Sequence, residues 1–428
     1  MKPVAAVRCK RLAITGMATG MVLIGGLTPG VASAQQSVTL NMATLGTVAG
    51  LSSAIATYEA THRNITIRVT STPSNTYQEV VPAELSANRG PDIMGTFPGA
   101  AEAMAIDTLV KNGNNLYPLN KSLAATMPES DVTLNSYHGK LYAVTPANAV
   151  AAIAYNKTDF QTIHVSPPVT FSQLLADCKS FRAKGDYFMA LGNGDLYMNT
   201  NTPTLLQDAV IYASNPQYLS QSLGKPSSYW TGPNALYRKA NLIAYEDYAS
   251  MVKNGCIYPG SLGMSVSQAA ALVITGQAAS TNLIGNWPEL VAADGHNTFG
   301  TFNLPALDKI APIPLTVDPT ALWAVNAKSH HLEQAVAFLK YLVSPAVVGK
   351  MITANDWLPV KSIANFKPAP IFANVYPDVQ SGKTLLFPVN YEPNYKVKLT
   401  QETWGEKIID GTATAAQAAA ATLAPFNS

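Results

Sequence analysis

Charged residues make up only 13% of this 428-residue chain, about half the usual share. No run of basic residues occurs beyond position 11. Nucleic-acid binding needs clustered Lys and Arg to neutralise phosphates, so no nucleic-acid partner is expected. Fewer carboxylates that must stay ionised also means less stability lost as pH falls, which suits an exported surface. Cysteine is almost absent. There are three, none in a Cys-x-x-Cys pair, beside only six histidines, and that pattern speaks against a zinc site. Gly-x-Ser-x-Gly, His-Glu-x-x-His and a phosphate-binding Gly-Lys-Ser/Thr loop are all missing, so no enzymatic motif presents itself. Past residue 27 no stretch is long and apolar enough to cross a membrane.

What is present points to export. Lys2, Arg8, Lys10 and Arg11 make a positive start, residues 12–27 an apolar middle, and Ala32-Ser-Ala34 an A-x-A cleavage site. Residues 1–34 therefore read as a secretory signal. Gly16, Gly20, Gly25 and Gly26 leave the apolar middle too weak for a membrane span. Removing the four basic residues turns the net charge from +2 to −2. A lipid anchor would need a cysteine after the cleavage site, and Gln35 stands there. The expectation is a free periplasmic or secreted protein. In such an oxidising compartment Cys178 and Cys256 are either bridged or buried as two separate thiols.

The length and the apolar content of 47% predict two domains. From Ser37 the pattern alternates strand and helix. Val38, Leu40 and Met42 share one strand face, residues 51–61 are helical, and Ile65, Ile67 and Val69 alternate again. Strand, helix and strand at this spacing predict a parallel sheet with crossover helices. Further helices are expected at 76–88, 170–184, 204–213, 234–253, 331–343, 346–353, 400–410 and 413–423. Strands are expected at 187–191, 278–284 and 321–327. Two short apolar runs, 141–144 and 150–155, read as strands separated by Thr145-Pro-Ala-Asn148. Pro146 lacks an N–H and holds Thr145 extended. The pair is either an irregular hairpin or a crossing from one sheet into another.

Gly-Lys-Leu-Tyr142 with Pro146 and then Tyr155-Asn-Lys157 resembles the inter-lobe crossing of extracytoplasmic solute-binding proteins of ABC transporters. The nearest group is the carbohydrate-binding family that includes maltose-binding protein. Gly90-Pro-Asp-Ile-Met94, Leu116-Tyr-Pro-Leu-Asn120, the helix from Thr170 to Gly185, the stretch from Gln277 to Trp287 and Trp357-Leu-Pro-Val360 also resemble family segments, in order. Collinearity of these weak motifs carries the resemblance. It implies an α/β, two-lobed periplasmic-binding-protein fold with a hinge of crossing segments and an inter-lobe cleft. Lobe one would comprise 35–147 and 322–367, and lobe two 149–318 and 371–428.

The resemblance further implies a monomeric substrate-binding component of an importer, with no cofactor and no catalysis. It would hold a mono- or oligosaccharide and deliver it to a membrane permease; a secreted glycan-acting hydrolase or a binder of another solute is the alternative. Trp287 would stack on a sugar face, against the plainer reading of a core tryptophan. Phe97 lies one position beyond Thr96, where the maltose-binding pattern has its aromatic. Thr47 sits in the first ligand loop without the Asp-Lys pair of maltodextrin binders, and Ala149 replaces their acidic residue in the crossing. These departures argue against maltodextrin as ligand. Asn148 and Asp318 mark the two crossings, and Trp357 a turn beside them. Asn193, Asp195 and Tyr197 belong to a Gly-rich stretch that either supplies the cleft or is a surface turn.

Overall fold

In this computed structural model the described residues are 36–427, apart from 223–224, 286–287, 296–297, 309–312, 388–391 and 394. The signal segment 1–34 and Trp287 lie outside them. The strands that organise the fold are β1 (Val38–Leu45), β2 (Ile65–Thr72), β3 (Ile93–Gly95), β4 (Ala143–Val144), β5 (Ala147–Asn156), β6 (Ser280–Gly285), β7 (Phe299–Phe302), β8 (Thr316–Thr320), β9 (Trp323–Val325), β10 (Leu358–Pro359) and β11 (Leu385–Leu386).

β1 runs parallel to β2, with Val38 beside Ile65, and parallel to β3 on its other side. Helices α1 (Leu51–Thr61) and α2 (Ser74–Ser86) make the crossovers. The five-stranded sheet has the order β2-β1-β3-β9-β4, with β9 antiparallel to both its neighbours. Leu40, Met42, Ile67 and Ile93 bury one face with Tyr58 of α1 and with Phe338 and Leu342 of a helix late in the chain. Apolar residues alternating at a period of two on the strands and at 3.6 on the helices produce this layer.

The second sheet is organised on β5. Nine of its ten residues are buried, Tyr155 alone being partly exposed. Its alanines let strands and helices approach both faces closely, so residues 149–154 are apolar throughout instead of alternating. β6, β7, β8 and β10 all pair antiparallel with β5, and β11 pairs with β8. Around this sheet pack α3 (Phe171–Ala183), α4 (Asn201–Ser214), α5 (Leu236–Lys253) and α6 (Val266–Ile274). Later in the chain come α7 (Leu332–Leu342), α8 (Pro345–Ala354), α9 (Tyr395–Ile409) and α10 (Ala415–Leu423). α7 and α8 cover the first sheet, whereas α9 and α10 close the larger core of the second. Thr170 caps α3 through Gln173 N–H, and Gly185 takes positive φ just after it, as the sequence signals there predict.

The runs 141–144 and 150–155 do fall in different sheets, β4 in the first and β5 in the second. The second crossing lies beside the first. Asp318 pairs with Ala149, Pro319 with Asn148, and Thr320 with Ala147. Several boundaries differ from expectation. The expected strand 187–191 is a set of isolated bridges from Tyr187, Met189 and Ala190. The strand expected at 321–327 begins at Trp323, because Ala321 has φ of 51° and cannot continue a ladder. α9 starts five residues earlier than expected, at Tyr395.

The cysteines are bridged. Cys178 of α3 joins Cys256 just beyond α5, with Cα atoms 4.8 Å apart and both residues fully buried.

Candidate functional site

A cleft of about 330 Å³ opens at the crossing, lined by residues 44–48, 95–97 and 318–323 and by Trp357. The first two stretches are the carboxyl ends of β1 and β3 with the loops beyond them, where parallel α/β sheets place ligands. Their backbone is held firmly. Gly46, at φ of 65°, donates its N–H to Thr72 O at 2.8 Å, and Thr44 Oγ1 donates to Gly46 O at 3.0 Å. Asn355 brackets Ala49, accepting its N–H and donating to its carbonyl at 2.9 Å each. The loop after β3 is closed by Phe97 N–H to Met104 O at 3.1 Å and Ile106 N–H to Phe97 O at 2.9 Å.

The polar atoms in this wall are mostly hydroxyls. Thr96 donates its N–H to Leu322 O at 2.9 Å, yet its Oγ1 is buried with no hydrogen-bond partner among the described residues. A buried hydroxyl left without a partner is costly and suits a site that a polar ligand completes. Thr47 is exposed at the rim, and Phe97 is partly buried. Among the described residues Asp318 is the only charged one in the lining. Trp357, 8% exposed, and Trp323, 1% exposed, back the cleft from the first core.

The cleft thus gathers Thr47, Thr96, Phe97, Asp318 and Trp357 from the sequence expectations. Asn148 lies in β5 opposite Pro319 and Leu358, with its Oδ1 buried and unpartnered among the described residues. Asn193 is buried, and its Nδ2 donates to Tyr248 Oη at 3.4 Å. Asp195 Oδ2 accepts the Val266 N–H at 2.9 Å, satisfying a free donor at the start of α6. Gly192 and Gly194 are glycines because a Cβ there would stand 2.5 Å from Val266 Cα and 2.8 Å from Met264 O. Tyr197 is 42% exposed beside this turn, and burial of its hydroxyl followed by the Asp195 charge raises its pKa. Thr44 and Thr320 were not singled out from the sequence, and Trp323, a core residue as its apolar strand implies, also backs the cleft. Thr44 could have been found by extending β1 to its carboxyl end. Trp323 carries no local signal, because a core tryptophan and a cleft-backing one have the same apolar surroundings.

A second pocket, of about 140 Å³, is lined by Pro167, Pro168, Phe302, Leu304 and their neighbours. Its one amide, Asn303, already donates to the carbonyls of Ile313 and Pro314. It offers little to orient a polar solute. Among the described residues no three His, Cys, Asp or Glu side chains converge as a metal site.

Two α/β lobes joined by paired crossings, with a cleft at the strand ends, define a binding protein of the two-lobed, solute-capturing class. The chain belongs to the bacterial extracellular solute-binding protein family, whose profile matches residues 43–349. A multiple sugar-binding protein of Streptococcus mutans is 21% identical over 329 residues, covering 76% of this chain and 75% of the relative. Among solved structures, a chitin oligosaccharide binding protein superposes with a TM-score of 0.74 at 16% identity, over 91% of this chain and 98% of that one. The solute-binding protein RafE, solved with raffinose, gives 0.70 at 17% identity, over 91% and 99%. A sugar transporter of Bacillus licheniformis solved with stachyose gives 0.69 at 18%, over 90% and 98%.

Proposed function

We propose that this protein is the exported, substrate-capturing component of an ABC importer, taking a mono- or oligosaccharide into the cleft and presenting it to a membrane permease. The observation that carries the reading is the chemistry of the cleft wall. It combines threonine hydroxyls, one of them buried and unpartnered, with a phenylalanine and a single carboxylate. Sugars present apolar ring faces bordered by hydroxyls, and such a wall matches both. The names of the S. mutans relative and of the raffinose-bound and stachyose-bound neighbours support the same ligand class.

In this reading lobe one comprises 35–147 and 322–367, and lobe two comprises 149–318 and 371–428. Phe97 and Trp287 are the stacking residues, with Thr47, Thr96, Asn148 and Asp318 supplying polar contacts. Asn193, Asp195 and Tyr197 form the facing turn, and Trp357 supports the wall. Closure of the lobes buries the sugar and creates the surface the permease recognises. The protein works as a monomer in the periplasm or outside the cell, without cofactor or catalysis.

Thermal unfolding in the presence of raffinose, stachyose, xylo-oligosaccharides and chitin oligosaccharides tests this. A saccharide at ~100 times its Kd adds about 2.7 kcal/mol of stability. Trp287→Ala should abolish most of that shift while folding normally. Stabilisation by amino acids or polyamines with none by any saccharide would overturn the reading, as would release of reducing sugar on incubation.

A further inference from the structure

One ion pair joins the two halves of the molecule. Lys398 lies on α9, whose Val397 and Ile408 are part of the core around the second sheet. Glu102 lies between β3 and Ile106, in a segment held to α2 of the first half. Lys398 Nζ donates to Glu102 Oε1, across 296 residues of sequence.

The acidic partner is fixed before the lysine arrives. Gln78 Nε2 donates to Glu102 Oε2 at 2.6 Å, while Gln78 Oε1 accepts the N–H groups of Ala103 at 3.0 Å and Met104 at 3.4 Å. Glu102 is 1% exposed, and the Lys398 side chain 17%. Glu402 and Asp318 also act on the ammonium, and Asp318 lines the cleft. The pair therefore belongs to both halves at once, within the electrostatic reach of the cleft's Asp318.

We propose that Glu102 and Lys398 are positioning residues that latch the two lobes, setting how much of the ligand-free protein is closed. A buried pair returns little net stability, because desolvation offsets its attraction, yet removing one partner strands a buried charge. That penalty falls on the closed arrangement alone, since in an open one Glu102 regains water. The latch thus acts on the lobe equilibrium and on the fraction of protein ready to hold ligand. The inference rests on the two-lobed closure of the proposed function, but its test uses no ligand, so it stands or falls apart from the saccharide reading.

The experiment is small-angle X-ray scattering of the ligand-free protein, with urea unfolding of each variant alongside. Lys398→Met and Glu102→Gln should each shift the radius of gyration to a larger value with the unfolding midpoint little changed. The double variant, which strands no charge, should return toward the wild-type radius. Should Lys398→Met fold poorly, Glu102→Gln alone decides, since it removes the attraction between the lobes and leaves the mostly buried Lys398 ammonium facing a neutral amide. Unchanged radii for the single variants, or a lower unfolding midpoint with no change of radius, would overturn the latch and leave the pair a structural contact.

Discussion

The cleft wall and the helical core of the second half place their polar groups differently. In the first, the unpartnered hydroxyl of Thr96 faces the cleft. In the second, a polar cluster is sealed between helices, where Glu392 Oε1 accepts from Tyr237 Oη and from Gln401 Nε2 at 2.7 Å. Asp208 of α4 is buried nearby, with both carboxylate oxygens unpartnered among the described residues. Burial, eased by the Tyr237 and Gln401 hydrogen bonds, pushes Glu392 up to about 8. Burial and then the Glu392 charge raise Asp208 well above the usual carboxylate range. The lesson is that a buried polar group without a partner serves two ends. At a cleft wall it awaits a ligand, and in a sealed core it holds a proton.

The largest effect that sharpens this contrast belongs to the disulfide, which lies wholly in the second half. Closing a loop with a sequence separation of 78 is worth about 4.5 kcal/mol by the chain-entropy account. Reduction, or Cys178→Ser with Cys256→Ser, should lower the urea midpoint accordingly. An unchanged midpoint would mean the second half is held by its core alone.

Next comes the pH dependence. Glu392 has a folded pKa raised above its unfolded value, so its contribution is fully present below about 4.3 and is lost as pH rises through about 8. Asp247, pushed up to about 8 by burial and the charges of Glu246 and Asp308, acts in the same direction. Stability should therefore fall between pH 5 and 8, by at most about 1.4 kcal/mol per pH unit for each such proton. Glu392→Gln keeps a neutral side chain at every pH and should make the profile shallower, gaining on the wild type by about 4.5 kcal/mol near pH 8. Thermal melts across that range decide it. A wild-type midpoint that climbs from pH 5 to 8 would show the buried cluster to be ionised and otherwise compensated.

The contrast also explains what could be read from the sequence. Pro146 marked an interruption of the apolar run, a local fact of its missing N–H, but left a hairpin and a crossing both open, and only the resemblance across the whole chain favoured the crossing. The helix cap at Thr170 was equally local. The roles of Asn193 and Asp195 were not, because the turn is pinned by Tyr248 and Val266, more than fifty residues away. Nor could Glu392 be singled out. An acidic residue between Tyr391 and Pro393 looks like a surface loop until α4, α5 and α9 enclose it. Left-handed Ala321 was invisible for a different reason, since alanine gives no sign of positive φ.

A smaller effect separates binding from stability. Phe97→Ala removes part of the cleft wall and only a partly buried flank of the Met94–Met104 cluster, and should weaken saccharide affinity about tenfold, or roughly 1.4 kcal/mol. Isothermal titration with whichever saccharide gives the largest thermal shift would measure it. A variant that binds equally well would move the stacking role wholly to Trp287.

The smallest expected effect lies where the halves meet. Ala321, at φ of 51°, turns the chain from β8 into β9 and lines the cleft. A left-handed alanine costs roughly 1–2 kcal/mol relative to a right-handed one. Glycine removes that strain but adds about 0.5–1 kcal/mol of unfolded-state entropy. Ala321→Gly should thus stabilise by only about 0.5 kcal/mol. Ala321→Val should destabilise more clearly, because a β-branched side chain tolerates positive φ worst. The urea midpoints should then rank glycine above alanine above valine. Equal midpoints for alanine and valine would mean the turn adopts an extended backbone in solution, and the strain assigned to the second crossing would have to be withdrawn.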